Sequence, residues 1–427
     1  MEDITEIAIL GMGNIGTEFV EILQHQLSEI EDITNQKIKI SKILVTDLNK
    51  ERNVQIKQNI ITTNPDEIFN NKNISIVIEI MGGVDPAFEY VSKCLESSKS
   101  VITANKDLIA THGKILFQKA KKNNVSILFE AAVASGTPII STLIRDLSYS
   151  NINSIRAIIN GTSNFILSEM EEKNTEFMEA LKLAQKLGYA EPDPTNDIEG
   201  FDARYKLSIL SSLAFKTEVE YPKLHVEGIS KIDSIDFQYA KELGYSIKLL
   251  AIAEKIKSGI LARVHPAMID VNNPLAKISG AMNAIEIQEK LLGTVIIQGP
   301  GAGPSPTSSG ILSDLIHVLK TKHNSQSVPN LINNLQINDI KTLESRFYLR
   351  FIVHDKAGVL SKMSNILGEE SISIASVIQK ENTNLEEKYA DLVFMTYKSS
   401  QSSIDKAIQK IAKLDVVDQL KSLIRVE

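Results

Sequence analysis

Apolar and polar positions alternate along this chain in two rhythms. Apolar-rich runs at 7–10, 38–45, 75–80 and 100–103 read as strands of the kind covered on both faces, and 126–132 as one more. Between them the apolar residues recur three and four apart, as helices with one buried side require, from Gly16 to about residue 29 and over 85–97. Strand followed by helix from residue 1 to about 132 predicts a doubly wound α/β domain. A different mixture follows: a strand at 154–159, helices at 164–172 and 175–187, then strand-like stretches at 245–270 and 284–298. That order predicts an α+β domain, followed by a helix at 309–319. Residues 321–342 are polar and poorly patterned, as a linker would be. The remainder reads strand 346–354, helix 359–368, strands 371–379 and 391–397, and helix 402–414, a ferredoxin-like module in outline.

The first strand runs into Gly11-Met-Gly13-Asn14-Ile15-Gly16, a glycine pattern lying between strand and helix. Gly11 permits the tight turn, Gly13 lets a pyrophosphate approach the backbone, and Gly16 lets helix and strand pack closely. The helix N-terminus would take the phosphates. At the end of the second strand, Asp47 suits the ribose hydroxyls of NAD, while Lys50 and Arg52 could clamp the 2′-phosphate of NADP. Both coenzymes stay open. Thr103-Ala-Asn-Lys106 closes a strand at the end where an open parallel sheet gathers its ligands, which puts Lys106 at the nicotinamide end or leaves it a solvated loop lysine. The small-residue loop 133–138 could wrap a monovalent cation or simply pack closely. A second glycine-rich turn, Gly299-Pro-Gly-Ala-Gly303, opens the late helix and suggests that the chain returns to cover the cofactor.

Residues 187–210 concentrate the remaining chemistry, with Glu191, Asp193, Asp197, Glu199, Asp202 and Lys206 close together. Pro192 and Pro194 enforce an extended approach, and Thr195 or Asn196 can cap the helix that follows. On a wheel centred on Arg204, Gly200, Ser208 and Ser211 fall within about 40° and define a wet face. Asp202 and Lys206 fall on the opposite, apolar arc. An Asp–Lys pair four apart is ordinarily an exposed salt bridge. On a buried face it costs several kcal/mol unless it has a task, which points to proton handling.

Composition narrows this little. With 43% hydrophobic and 23% charged residues, the 427-residue chain is of ordinary globular make-up, with room for several domains. A net charge of −7 argues against a nucleic-acid or anionic-membrane partner. The single cysteine, Cys94, excludes an internal disulfide and a thiolate metal cluster, as a cytoplasmic protein would have it. Acidic residues stand at the start, where a signal peptide would carry bases, and no run is long enough to span a bilayer.

These residues resemble the homoserine dehydrogenases that carry a C-terminal ACT domain, over essentially the whole chain. The most specific stretches are 103–110 (TANKDLIA), 160–167 (NGTSNFIL), 187–206 and 299–303 (GPGAG), supported by 129–133 and by 348–360. No kinase domain precedes them, so the form resembled is the monofunctional one. The resemblance implies an α/β chain made of a Rossmann-type domain (1–132 with about 299–320), an α+β catalytic and dimerisation domain (133–298), a linker (321–342) and a ferredoxin-like ACT domain (343–427). It implies interconversion of L-homoserine and L-aspartate 4-semialdehyde with NAD or NADP. Lys206 would be the general acid/base, with Lys106 a second lysine beside nicotinamide and substrate. Glu191 and Asp202 would hold the ammonium or the reacting oxygen, Asp197 would support them, and Thr162, Gly188 and Tyr189 would line the pocket. Gly11, Gly13, Asn14, Ile15, Gly16, Asp47, Lys106, Gly188 and Gly303 would bind the coenzyme. Carbonyls of Val133, Ser135 and Thr137, with Glu130 nearby, would hold a sodium ion. The ACT domain would bind an effector, threonine first among the candidates, at an interface between subunits of a homodimer or homotetramer. Thr46 stands where bacterial members often have Arg, and Ala357 where the ACT turn usually has Pro.

Two rivals remain. A semialdehyde dehydrogenase would need a catalytic cysteine, and Cys94 falls in a predicted helix. A non-catalytic amino-acid sensor on an enzyme-like body would be expected to have lost the acid–lysine set, yet Glu191, Asp202 and Lys206 are all present.

Overall fold

The computed structural model describes residues 4–321, 328–382 and 389–427. Residues 322–327 of the expected linker lie outside them. In chain order the elements are β1 (Ile4–Leu10), α1 (Asn14–Thr34), β2 (Lys37–Leu44), β3 (Ile61–Thr62), α2 (Asp66–Phe69), β4 (Ile74–Glu79), α3 (Ala87–Glu96), β5 (Ser100–Thr103), α4 (Lys106–Lys122) and β6 (Ile127–Leu128). Next come β7 (Ile152–Ile158), α5 (Gly161–Lys173), α6 (Phe177–Lys186), α7 (Thr195–Ile198), α8 (Phe201–Phe215), β8 (His225–Val226), α9 (Ser234–Glu242), β9 (Tyr245–Ile256) and β10 (Gly259–Asp270). The chain continues with β11 (Met282–Glu289), β12 (Gly293–Pro300), α10 (Pro304–Thr321), β13 (Glu344–His354), α11 (Val359–Glu369), β14 (Ile374–Asn382), β15 (Tyr389–Thr396), β16 (Ser399–Ser400), α12 (Gln401–Ile411) and β17 (Val417–Val426).

Two compact units result, one of Met1–Ile155, Ala203–Lys223 and Met282–Leu335, the other of Arg156–Asp202, Leu224–Ala281 and Gln336–Glu427. The first contains a six-stranded parallel sheet in the order β3-β2-β1-β4-β5-β6. The order reverses between β1 and β4, so a crevice opens past their carboxyl ends, the usual place for a ligand in such a sheet. Ile7, Ile9, Ile76 and Ile78 of the two central strands pack with Phe19, Val20 and Leu23 of α1 and with Ile311, Leu315 and Leu319 of α10. Helix α10 therefore shares the core of the N-terminal sheet, tied further by the Gln36 amide donating to the Leu319 carbonyl at 2.8 Å. It starts at Pro304, five residues before the apolar periodicity begins, because proline is tolerated in a first turn whose N–H groups have no helical acceptor.

The strand expected at 126–132 is only Ile127–Leu128, followed by a 3₁₀ turn at Glu130–Ala132. Its backbone leaves the ladder because Glu130 is bonded elsewhere. The Glu130 N–H donates to the Asp314 carboxyl at 2.8 Å, and the Glu130 carboxylate accepts the N–H groups of Ile139, Ile140 and Ser141 at 2.7–2.8 Å.

In the second unit the strands run β7-β9-β10-β17-β13-β15-β14. Strands β9 and β10 form a long antiparallel hairpin, and β17 joins β10 in parallel through Ala267↔Arg425 and Met268↔Val426. One sheet thus runs from the middle of the chain into its C-terminal module. Period-2 alternation sorts the faces of β13. Phe347, Leu349, Phe351 and Val353 bury against Met363 and Leu367 of α11 and Ile404 and Ile411 of α12. Tyr348 and Arg350 point the other way, onto α9.

Across that second face the Arg350 guanidinium donates to Asp236 at 2.7 Å, Asp233 at 2.5 Å and Asp391 at 3.2 Å. Asp236 also accepts from the Tyr348 hydroxyl at 2.9 Å and the Ser422 hydroxyl at 2.5 Å. The fold is α/β, and no described helix is long and apolar enough to cross a membrane.

The acidic stretch departs from its wheel. Instead of one helix from residue 195 there are two, separated by Gly200 at φ +78°. The expected wet face is not wet: Gly200, Ser208 and Ser211 are buried. The serines tolerate this because Ser208 donates to the Val219 carbonyl at 2.5 Å and Ser211 to that of Leu207 at 2.6 Å. Helix α8 is enclosed on nearly every side, so a wheel built on one solvent face could not describe it.

Candidate active site

Gly11 follows β1 at φ +99°, and a Cβ there would lie 2.9 Å from the Ile80 carbonyl past the end of β4. Only glycine lets the two strand ends close at this reversal point. A Cβ on Gly16 would meet the Gly11 carbonyl at 2.8 Å, whereas one on Gly13 would meet nothing within 4 Å. Gly11 and Gly16 thus serve packing, and Gly13 faces open space at the first turn of α1, where Asn14 and Ile15 begin the helix. A dinucleotide pyrophosphate fits this cradle.

Asp47 is exposed just beyond β2, its carboxylate accepting the Asn49 N–H at 2.8 Å. Arg52 folds back to donate to the carbonyls of Asp47 at 2.8 Å and Lys50 at 2.7 Å. An acid and a guanidinium therefore stand together just beyond the end of β2.

The carboxyl ends of β4 and β5 are joined by Glu79, which sequence reasoning did not single out. Its fully buried carboxyl accepts from the Thr103 hydroxyl at 2.5 Å and the Met81 N–H at 2.8 Å. Asn105 donates to the Gly83 carbonyl at 2.6 Å and accepts the Leu108 N–H at 3.0 Å, capping α4. Lys106, half-buried, is the first residue of that helix. Burial pushes the Glu79 carboxyl up, against these hydrogen bonds. An acid closing an otherwise apolar parallel strand was the available signal.

Half-buried Lys206 stands one turn beyond buried Asp202 on α8. Next to Lys206, burial, Tyr221 and the Asp107 charge raise the Tyr205 phenol, whose ring lies 4.6 Å from that of Tyr221. Around Asp202 the organiser is Asn160, again not anticipated. Its amide donates to Asp197 at 2.7 Å and to Asp202 at 2.9 Å, while its oxygen caps α5 by accepting the Ser163 N–H at 2.8 Å. The Ser163 hydroxyl adds a bond to the Asp197 carbonyl at 2.7 Å.

Thr162 donates to the Tyr189 carbonyl at 2.6 Å, and the Tyr189 ring lies 4.8 Å from that of Phe165. Thr162, Tyr189, Asp197 and Asp202 therefore cluster at the start of α5. Gly188, at φ +79°, leaves open space where a side chain would project. Glu191 is exposed and its carboxylate has no partner among the described residues. Asp193 accepts both the N–H and the hydroxyl of Thr195, at 3.1 and 2.6 Å, and so shapes the loop.

At 133–137 the backbone is strained, with Ala134 at φ +53° and Ser135 at φ +54°. Left-handed conformations cost non-glycine residues of order 1 kcal/mol each and persist where the surroundings impose them. The Ser135 hydroxyl donates to the Gly301 carbonyl at 3.2 Å. The buried Thr137 hydroxyl and both side-chain polar atoms of buried Asn283 have no hydrogen-bond partner among the described residues. A Cβ at Gly299 would strike Thr137, and one at Gly301 would strike Asn283. Orphaned oxygens beside a carbonyl-rich loop fit a hard cation or a buried water. Gly303, at φ +121°, ends this turn.

Comparison with known proteins follows the same division. Residues 11–130 match the family described as homoserine dehydrogenase, NAD binding domain, residues 138–316 the homoserine dehydrogenase family, and residues 347–416 the ACT domain. The homoserine dehydrogenase of Neisseria gonorrhoeae is 40% identical over 430 residues, covering 99% of this chain and 98% of that protein. That of Bacillus subtilis is 35% identical with the same coverage. The crystal structure of a homoserine dehydrogenase from Thiobacillus denitrificans superposes with a TM-score of 0.92 at 36% identity, over 100% of this chain and 99% of that one. A hyperthermophilic archaeal homoserine dehydrogenase in complex with NADPH aligns with a TM-score of 0.62 at 28% identity, over 78% of this chain and all of that one.

Proposed function

The chain belongs to the homoserine dehydrogenase family, a family of NAD(P)-dependent oxidoreductases of amino-acid biosynthesis, and from that premise we propose how its residues divide the work. The reaction is the reversible interconversion of L-homoserine and L-aspartate 4-semialdehyde. When bound, the nicotinamide supplies or accepts the hydride at the carbon bearing the reacting oxygen. Gly13, Asn14, Ile15 and Gly16 hold the phosphates at the start of α1, Asp47 and Arg52 read the ribose, and Gly188 and Gly303 each contribute to coenzyme binding.

Lys206 gives the proton to the oxygen on reduction and takes it back on oxidation, and its ammonium stabilises the negative charge that builds there. Lys106 adds a second positive charge from the first turn of α4. Asp202, Asp197 and Glu191 receive the substrate's ammonium and hydroxyl, with Thr162 and Tyr189 lining the pocket. The observation that carries this reading is the strapping of two carboxylates by the Asn160 amide at the start of the helix that bears Lys206.

Glu130, Val133, Ser135 and Thr137 would hold a sodium ion. The strained loop and the orphaned Thr137 hydroxyl support it. The domain division is Rossmann-type 1–132 with 299–320, catalytic 133–298 and ACT 343–427, in a homodimer or homotetramer of the cytoplasm. An amino acid, threonine first among candidates, acts through the ACT domain.

The test is Lys206→Ala, followed by coenzyme reduction with L-homoserine. Turnover should fall by two or more orders of magnitude, while NADPH affinity, read by fluorescence titration, stays within about threefold. Turnover within threefold of the parent would remove Lys206 from this role.

A further inference from the structure

Past the reversal point of the parallel sheet, the proposed chemistry leaves one buried carboxyl without a task. Glu79 and Thr103, the last residues of β4 and β5, are fully buried, and Asn105 nearly so. Four donors converge on the Glu79 carboxyl: the Thr103 hydroxyl at 2.5 Å, the Met81 N–H at 2.8 Å, the Asn105 amide at 3.5 Å and the Gly82 N–H. The Thr103 hydroxyl accepts the Asn105 N–H at 2.9 Å, so its own proton is the one turned to Glu79. A ring of donors with nothing turned to accept is the setting of a carboxylate rather than of a carboxylic acid. All four donors are neutral, so the carboxylate is solvated but its charge is not cancelled. Such a buried charge is costly to keep and calls for a use.

The charge adjoins the dinucleotide cradle. A Cβ on Gly11 would lie 2.9 Å from the Ile80 carbonyl and 3.1 Å from the Met81 Cα, so the turn that Glu79 holds rests on the glycine turn. Gly82 and Gly83, at φ +77° and +72°, have open space where side chains would project. Asn105 ties the same turn to α4, donating to the Gly83 carbonyl at 2.6 Å and capping the helix that Lys106 begins.

We propose that Glu79 is the counter-charge of the oxidised nicotinamide, acting across the turn at 80–83 without touching the ring. The oxidised ring is a cation and the reduced ring is neutral, so a fixed anion in a poorly polarisable surrounding favours NAD(P)+ over NAD(P)H. This rests on the reading that sets the nicotinamide beside Lys106. It adds what offsets the repulsion between that ammonium and the cationic ring during homoserine oxidation.

The experiment is calorimetric titration of the intact chain with the oxidised and reduced forms of whichever coenzyme it binds more tightly. Glu79→Gln keeps the shape and removes the charge, its amide donating to the Thr103 hydroxyl while its oxygen accepts the Met81 N–H. It should raise the ratio of the oxidised to the reduced Kd about fivefold or more. Affinity for ADP-ribose, or for its 2′-phosphate, should stay within about twofold, since neither carries the ring. Glu79→Asp keeps the charge and should hold the ratio within about twofold of the parent. An unmoved ratio in Glu79→Gln overturns the proposal and leaves the coenzyme reading standing. An equal shift in Glu79→Asp also overturns it, because the effect would then be one of turn geometry. If Glu79→Gln fails to fold, the parent is titrated with the dinucleotide whose nicotinamide is replaced by benzamide, a neutral ring of the same shape. Binding about fivefold or more weaker than that of the oxidised coenzyme upholds the counter-charge, and equally tight binding overturns it. A parent that binds neither form of either coenzyme removes the nicotinamide reading, and this proposal with it.

Discussion

Asn160 gives one amide nitrogen to two carboxylates and one amide oxygen to a helix cap. Asn160→Asp keeps the cap and removes the donor, setting a third acid beside Asp197 and Asp202. It should lower kcat/KM for L-homoserine about 10- to 100-fold with little change in thermal midpoint, as steady-state rates and a melting curve would show. In the proposed coenzyme site the neighbours Asp47 and Arg52 should pull coenzyme choice in opposite directions. Asp47→Ala should raise KM for NAD more than for NADP, and Arg52→Ala the reverse, so the ratio of the two kcat/KM values is the measurement.

Legibility divides sharply among such residues. Gly11, Gly13 and Gly16 were legible because their spacing is set by backbone geometry next to them in sequence. Asn160 and Glu79 were not, because their roles are long-range bonds to Asp202 and to Thr103, which no local pattern encodes.

Among the elements, α8 shows why a correct expectation can rest on a wrong wheel. Asp202 is buried as expected, but so are Ser208 and Ser211, and hydroxyl-to-carbonyl bonds make their burial inexpensive. Strands fared better, since Ile- and Val-rich runs mark β1, β4 and β5 whatever covers them. The short β6 and the turn after it depend on Glu130 and on Asp314 of α10, almost two hundred residues away in sequence.

Burial raises the Asp314 carboxyl well above its ordinary range, the Glu130 charge adds to this, and the Glu130 N–H and Arg145 oppose it. The folded chain thus keeps a proton that the unfolded chain releases. The resulting stability is present below the ordinary carboxylate range and is lost as pH rises through the folded value. Asp314→Asn should accordingly flatten the decline of stability from acidic to alkaline pH. Urea unfolding at the two ends of that range checks it.

At the scale of the molecule, Arg350 fastens the C-terminal module to α9 through Asp236, whose carboxylate is fully buried. Arg350→Ala leaves that charge without its guanidinium and should cost about 3–5 kcal/mol, read from denaturant midpoints. Arg350→Leu combined with Asp236→Leu should recover much of the loss. The module's own fold was legible from its βαββα rhythm, but its attachment was not, because the β10–β17 pairing and the Arg350 cluster appear only once distant strands meet.

That attachment bears on how such a chain can be shortened or recombined. A polypeptide stopped before β13 would bare β10 at Ala267 and Met268, which would then invite another chain to pair there. Asp233 and Asp236 would at the same time stand without their cation. The ACT segment therefore behaves as a keystone rather than an appendage. A chimera that borrows another ACT module should aggregate unless it also imports the matching β10 edge and α9 acids.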